Sequence, residues 1–306
     1  MSFELQALNQ SQFQVLPRET TVFFICLGPI EDHGAHLPVG SDLYESEAFA
    51  KIIAHQIESS TPGWQIGFLP TLAMGIESNT SGFAIKVRAH VLRDYLVDTC
   101  QSLIDQGFNK FVCFTGHTGP KQLTAIEEAG KLLRKKNKSW LKRKNLPSLV
   151  SAQSVILDPA ETSSFPIWMD PIEHAARRDT SMALMLSPEK VDPHWKGLPE
   201  IKKEGTRLDR FFKFRKKQIQ SYWGNPSLAS REEGARLIQE KADTLIPKLK
   251  AVWQGARGDH VFKSWYSIYP TNWSLFKVWV LVAALFLILG AWLSIAFQAL
   301  VNGSII

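Results

Sequence analysis

Cysteine is scarce in this chain of 306 residues: three are present, Cys26, Cys100 and Cys113, with no paired spacing. Two of them sit in apolar runs and read as core residues, which excludes a disulfide framework and suits a reducing compartment. The opening "MSFELQALNQSQF" has neither a basic n-region nor an apolar h-region, so no signal peptide is expected. No internal repeat is visible. Charge is absent from residues 278–306, "VWVLVAALFLILGAWLSIAFQALVNGSII", a run longer than the ~20 apolar residues that span a bilayer as a helix. A buried core helix would be shorter and would carry a polar face. Trp265, Tyr266, Tyr269 and Trp273 precede the run, Trp279 opens it and Trp292 lies within it, partly as an interfacial belt would. Lys263 and Lys277 flank its N-terminal side and nothing basic follows, so the positive-inside rule predicts a single C-terminal anchor with the large N-terminal part in the cytoplasm.

What is present is globular. The hydrophobic share is 45% and the charged share 21%, enough to bury one large core or two small ones. The net charge of +6 comes mostly from two stretches, "KLLRKKNKSWLKRK" (131–144) and "IKKEGTRLDRFFKFRKKQ" (201–218). They read as a solvated helix face and a surface insertion, with contact to anionic lipid beneath the anchor as the alternative. No nucleic-acid module accompanies them, so no nucleic-acid partner is expected. "TVFFICL" (21–27), "KFVCFTG" (110–116) and "LVSAQSVIL" (149–157) read as buried strands. "HVLRDYLVDTCQSLIDQG" (90–107) and "LTAIEEAGKLLRKK" (123–136) read as helices, the first closed by Gly107. Strands alternating with helices predict parallel β-α units in a layered α/β domain. Four segments are expected: a domain over 1–255, a juxtamembrane linker over 256–274, a transmembrane helix over 275–301 and a short tail over 302–306.

Chemistry concentrates in "GPIEDHGAHLPVGSD" (28–42), which begins where the first strand ends. Glu31, His33, His36 and Asp42 therefore hang from the carboxyl end of a parallel strand. His117, in "FTGHTG", holds the same kind of place after "KFVCF". Loops from neighbouring strands converge at that edge of an open α/β sheet. Carboxylate and imidazole together suit Zn, Mn or Fe, and a short-armed Asp can bridge two ions. Each residue alone also has a bland reading, a hydrogen-bonded structural His or a helix-capping Glu; four in two matching contexts favour metal.

These motifs resemble the creatininase (creatinine amidohydrolase) family. "EDHGAHLPVGSD" fits its opening E-x-H-G-x-H-L-P-x-x-T-D, with Ser41 in the Thr position. "TGHTGP" stands where the family has N-G-H-G-G-N, "EHAARRDTSMALM" from Glu173 where it has D/E-H-A-G-x-x-E-T-S, and "GNPSLASREEGARLI" (224–238) matches a closing G-x-P-x-x-A-x-x-E-x-G pattern. The likeness spans about residues 15–255. It implies a three-layer α/β/α fold with a mainly parallel central sheet and two divalent ions, Zn and/or Mn with Fe as an alternative. By position, Glu31, His33, Asp42 and His117 match ligands, Asp42 bridging. The family's remaining carboxylate has no counterpart at Gly119, and Asp179, in the third block, is the expected replacement. His174 matches an active-site His expected to donate a proton, with Glu173 orienting it or binding substrate. Thr115, Pro120, Arg177 and Arg178 depart from the family pattern, so the surroundings of the ligands differ from creatininase itself.

The implied chemistry is hydrolysis of a C–N bond in a small amide or cyclic amide, with water activated by an ion that brings its pKa to about 7 and a proton delivered to the leaving nitrogen. Two other readings stand beside it: a peptide or formamide hydrolase of the same family, and a membrane-tethered scaffold without turnover, motivated by Asp179 and the altered second block. The resemblance also implies a homo-oligomer. Anchors that must all leave on one side predict an assembly smaller than the family's typical hexamer. Glu77 and Asn79 in "MGIESNTSGF" (74–83) read as turn caps rather than substrate contacts.

Overall fold

The computed structural model describes residues 2–76, 82–137, 146–152, 173–201, 221–256 and 273–303. Glu77 and Asn79, the second half of the basic stretch 131–144, the whole of 202–218, the linker at 257–272 and the second half of the strand expected at 149–157 lie outside them. By chain contacts there are two units, Met1–Tyr269 and Pro270–Ile306.

Among the described residues of the first unit six strands form one sheet: β1 (Ser2–Glu4), β2 (Thr21–Gly28), β3 (Gln65–Phe68), β4 (Leu72–Ala73), β5 (Lys110–Thr115) and β6 (Ser148–Ser151), in the order β1-β3-β2-β5-β6 with β4 also on β2. Every pairing is parallel. The helices are α1 (Gln10–Gln14), α2 (Ser41–Ser60), α3 (Ala89–Ile104), α4 (Pro120–Lys136), α5 (Arg177–Leu186) and α6 (Arg231–Trp253). β2 explains the layering. Its side chains alternate faces, so Val22, Phe24 and Cys26 join a core with Phe49 and Ile53 of α2, Met182 of α5 and Leu245 of α6. Phe23, Ile25 and Leu27 join a second core with Leu92 and Leu96 of α3 and Ile126 of α4. Both faces are covered, which is why "TVFFICL" is apolar throughout rather than alternating. The expected three-layer fold with a parallel sheet is the one observed.

Three predicted elements recur with small shifts: β2, β5 and α3, the last followed by Gly107 at φ 94°. The helix expected at 123–136 begins earlier, at Pro120, where a missing N–H at the first helical position costs nothing. Sequence reading passed over α2 and α6, although α2 buries Phe49, Ala50, Ile53, Ala54 and Ile57 at helical spacing. The short β1, β3 and β4 also went unread, since two to four residues carry little periodicity.

From β2 the chain crosses to β3 on one side, then returns through α3 to β5 on the other. That reversal opens a crevice at the carboxyl ends of β2 and β5, where ligands bind in open α/β sheets. A small satellite cluster of Leu37, Ala175, Val191, Trp195, Tyr222 and Ala229 packs the loops around it.

The second unit is helix α7 (Trp273–Gly303). Its segment Val278–Ala299 is, among the described residues, the one helix long and apolar enough to cross a membrane. Phe286, Leu287, Ile288 and Ile295 are each about two-thirds exposed or more. The apolar residues of α7 fall on every face of the helix rather than along one stripe.

Candidate active site

Glu31, His33 and Asp42 follow β2 and are buried, at 0%, 3% and 6% exposure. The backbone holds Glu31 by an N–H donated to the Val39 carbonyl at 2.9 Å and by a bridge to Ala84. Asp42 lies in the first turn of α2, where the helix dipole favours a carboxylate. That turn seats directly on the end of β5: a Cβ at Gly116 would meet the Asp42 Cα at 2.7 Å and carbonyl oxygen at 2.5 Å. Glycine there is a close-approach requirement, not a turn preference.

His117 follows β5. Its loop is tied by Thr115, whose Oγ1 accepts from the His117 N–H at 3.2 Å and from Gln122 Nε2 at 2.7 Å. Gln122 Oε1 in turn accepts from the Ile76 N–H at 2.9 Å. Thr115 thus does structural work in the altered second block. At Gly119 a Cβ would meet His117 Nε2 at 2.3 Å, so no side chain fits there while His117 keeps its place.

The groups converge on Asp42. Its Oδ1 lies 3.6 Å from His33 Nε2 and its Oδ2 3.7 Å from His117 Nδ1. His117 Nδ1 is also 3.0 Å from Glu31 Oε1. His33 Nδ1 faces the Glu31 carbonyl at 3.0 Å, so Nδ1 carries the hydrogen and Nε2 is left to face the carboxylate. Two sets of ligand atoms, Glu31–Asp42–His117 and Glu31–His33–His174, lie within 4.8 Å of one another. Asp42 Oδ2 and His117 Nε2 are buried without a hydrogen bond. Leaving such atoms unsatisfied costs about 1–3 kcal/mol each.

The donor set fits a divalent ion. Bound at about 2.1 Å to an imidazole nitrogen and a carboxylate oxygen, an ion holds the two atoms roughly 3–3.6 Å apart for angles of about 90–120°. The His–carboxylate separations here fall in or next to that range, and both are longer than good hydrogen bonds. Without an ion the surroundings favour protonation of both imidazoles. Burial depresses the His33 imidazole, but the negative charge of Asp42 and the hydrogen bond to the Glu31 carbonyl outweigh it and hold it at about 10. Burial also opposes the His117 cation, yet Glu31 and Asp42 raise it.

His174 behaves differently. Burial and the neighbouring His33 push it below its ordinary value. Its ring lies between His33, at 4.7 Å between centroids, and Trp223, at 4.9 Å. Nε2 donates to the Asp32 carbonyl at 3.1 Å. The backbone around it is built by an isolated bridge, His174 and Trp223 exchanging N–H···O contacts of 3.0 Å, flanked by left-handed Ala175 (φ 48°) and Ser221 (φ 45°). Asp32 secures the arrangement, accepting from Ser221 Oγ at 2.5 Å and from the Gly34 N–H at 2.9 Å. Sequence reading missed Asp32, Ser221 and Trp223; nothing local marks residues joined across 189 positions.

The remaining expected residues face elsewhere or sit at the rim. Glu173 Oε1 accepts from the Arg178 N–H at 3.0 Å. Arg177 donates to Glu233 at 2.7 Å. His36 Nε2 meets Thr180 Oγ1 at 2.8 Å, tying the loop to α5. Asp179 Oδ2 accepts from the Ala175 N–H at 2.5 Å, and Asp179 is outside both ligand sets. It does line the cleft that His33 and Asp42 open into, together with Glu45, a residue the sequence did not single out. Glu45 pairs with Lys241 of α6 at 3.4 Å. Burial raises its carboxyl, Lys241 counters, and Asp179 and Asp42 raise it further.

Comparison with known proteins places this architecture. The profile of the family described as creatinine amidohydrolase matches residues 6–249. The mycofactocin precursor peptide peptidase of Mycobacterium ulcerans is 24% identical over 270 residues, covering 83% of this chain and 94% of that protein. Among solved structures, a manganese form of creatininase is 19% identical with a TM-score of 0.60, covering 84% of this chain and 100% of the other. A variant creatininase of Zn–Zn type is 18% identical with a TM-score of 0.62 at the same coverage.

Proposed function

Because the chain belongs to the creatininase family, whose members are amidohydrolases, we propose that it is a metal-dependent hydrolase of C–N bonds in an amide or cyclic amide. The observation that carries this reading is the Asp42 carboxylate set between His33 and His117, with Oδ2 buried and not hydrogen-bonded. Glu31, His33, Asp42 and His117 are the proposed ligands of divalent ions, Zn or Mn in line with the forms in which creatininase is known. Such ions supply Lewis acidity near neutral pH, polarising an amide carbonyl and acidifying water.

The chain's own residues do the rest. Glu31 and Asp42, both buried, offset part of the added positive charge. His174 is the proton carrier: its Nε2–H is held by the Asp32 carbonyl, so the proton it trades is at Nδ1. A depressed pKa keeps it neutral at rest and makes its protonated form ready to give the proton to a leaving nitrogen. Glu173, fixed by the Arg178 N–H at the helix start, contributes negative charge at the substrate side of His174.

A second reading follows from the mycobacterial relative, which is named a peptide peptidase. The same residues would then act on a peptide C–N bond, and a scaffold without turnover would not need the ligand set. The proposed setting is a homo-oligomer held to a membrane by α7 with the catalytic unit on the cytoplasmic side. The test is a panel of creatinine, other cyclic amides, formamides and short peptides, run on metal-loaded protein and on His33→Ala. Turnover of a small amide that His33→Ala abolishes supports the first reading, and turnover confined to peptides supports the second. No turnover by a metal-loaded protein would favour the scaffold.

A further inference from the structure

The ligand environment of Asp42 is lopsided. On the Oδ2 side, His117 is joined by the Glu31 carboxylate. On the Oδ1 side, His33 faces an open cleft whose other acidic lining residues are Glu45 and Asp179. Two dications against Glu31 and Asp42 alone would leave a buried excess of positive charge, which burial penalises heavily. A further carboxylate has to serve the His33 side.

Of the two candidates, neither of which belongs to the two close ligand sets, Asp179 is the more constrained. Its short arm starts in the first turn of α5, and Oδ2 accepts the Ala175 N–H at 2.5 Å, holding the left-handed turn after His174. That bond fixes the direction of the arm that carries Oδ1. Glu45 stands three residues after Asp42 on α2, so both project from one face of the helix about a turn apart. Its arm is one methylene longer than that of Asp179. Its side chain is 17% exposed, and Lys241 lies 3.4 Å from Oε1, a separation longer than a good charged hydrogen bond. Lys241 is itself held at 15% exposure beside Met182 Sδ and the Phe49 ring, so it is a fixed positive neighbour that orients the carboxylate.

Resting on the two-ion reading of the site, we propose that Glu45 is the metal-binding carboxylate of the His33 side. Glu31, Asp42 and His117 then serve one ion, and His33, Asp42 and Glu45 serve the other. Lys241 is a positioning residue acting through Glu45, and Asp179 contributes charge without a bond to the ion.

The test uses the full chain in detergent, stripped with chelator and titrated with Mn²⁺. Stoichiometry comes from elemental analysis and pairing from low-temperature EPR, where two exchange-coupled ions differ from an isolated one. Native protein should take up a coupled pair. Glu45→Gln should keep one tight ion, weaken the other by about 10–100-fold or more and lose the coupled signal. Asp179→Asn should weaken the second ion less than Glu45→Gln does. Because Glu45→Gln strands a half-buried lysine, Glu45→Gln/Lys241→Met removes both charges together and should show the same loss in a folded protein. A coupled pair of unchanged affinity in either Glu45 variant would overturn the assignment. So would a native chain that binds a single ion, which leaves the hydrolase reading intact. A native chain that binds none would overturn both.

Discussion

The two sides of the candidate site are built differently. Glu31, Asp42 and His117 sit where the buried strands β2 and β5 end, and glycine at 116 lets α2 seat on the sheet. Their positions are a consequence of the core. His174, Glu173 and Asp179 sit on a segment held by a two-residue bridge, two left-handed turns and the Asp32–Ser221 hydrogen bond. One side is set by packing of the whole domain, the other by a handful of polar contacts. On the proposed reading the sheet side holds the metal ions, and the loop side sets what is hydrolysed. The departures from creatininase fall on both sides: Arg177, Arg178 and Asp179 lie on the loop side, while Thr115 and Pro120 lie beside His117 on the sheet side, where the four proposed ligands are nonetheless retained.

The largest expected effect breaks the sheet side. Asp42→Ala removes the carboxylate between the imidazoles and should lose metal by elemental analysis and turnover by more than about 10³-fold. Next, His174→Gln should cut kcat by about 10²–10⁴-fold with metal content unchanged, separating the two sides in one assay. Gly119→Ala tests whether the sheet side tolerates a side chain near His117. The 2.3 Å clash with Nε2 should displace the ring and weaken metal binding by roughly 10–100-fold.

Proton linkage gives a further separation. His33 is raised to about 10 and His117 is raised as well in the metal-free protein. A raised histidine stabilises the fold fully below its unfolded pKa of about 6.5, and that contribution is lost as pH climbs through the folded value. Metal must expel these protons, so affinity should rise with pH between 6 and 9, about tenfold per unit for each proton released. Calorimetry in buffers of different ionisation enthalpy counts them. The smallest effect belongs to the loop side. Ala175→Gly relieves a left-handed alanine, a strain of roughly 1–2 kcal/mol, less the extra chain entropy of glycine. A gain of about 0.5–1 kcal/mol in thermal unfolding is expected.

The same division governed what could be read from sequence. β2 and β5 announce themselves because a strand covered on both faces is uniformly apolar, and the ligands follow them directly in the chain. Asp32 and Ser221 gave no signal because their contact spans the whole domain. Ala175 gave none because left-handed turns are marked in sequence by glycine or asparagine, not alanine. Glu45 looks like any charged residue on an amphipathic helix until α5 and α6 pack over it. Asp179 was legible as a carboxylate but not as a helix-start acceptor, since that role depends on where the Ala175 N–H points.

The most direct test of the central claim is an anomalous difference map from crystals of the full chain grown with Mn²⁺. A peak is expected on each side of the Asp42 carboxylate, one beside Glu31 and His117 and the other beside His33. Absence of any peak within bonding distance of Asp42, in protein that binds Mn²⁺ in solution, would contradict it.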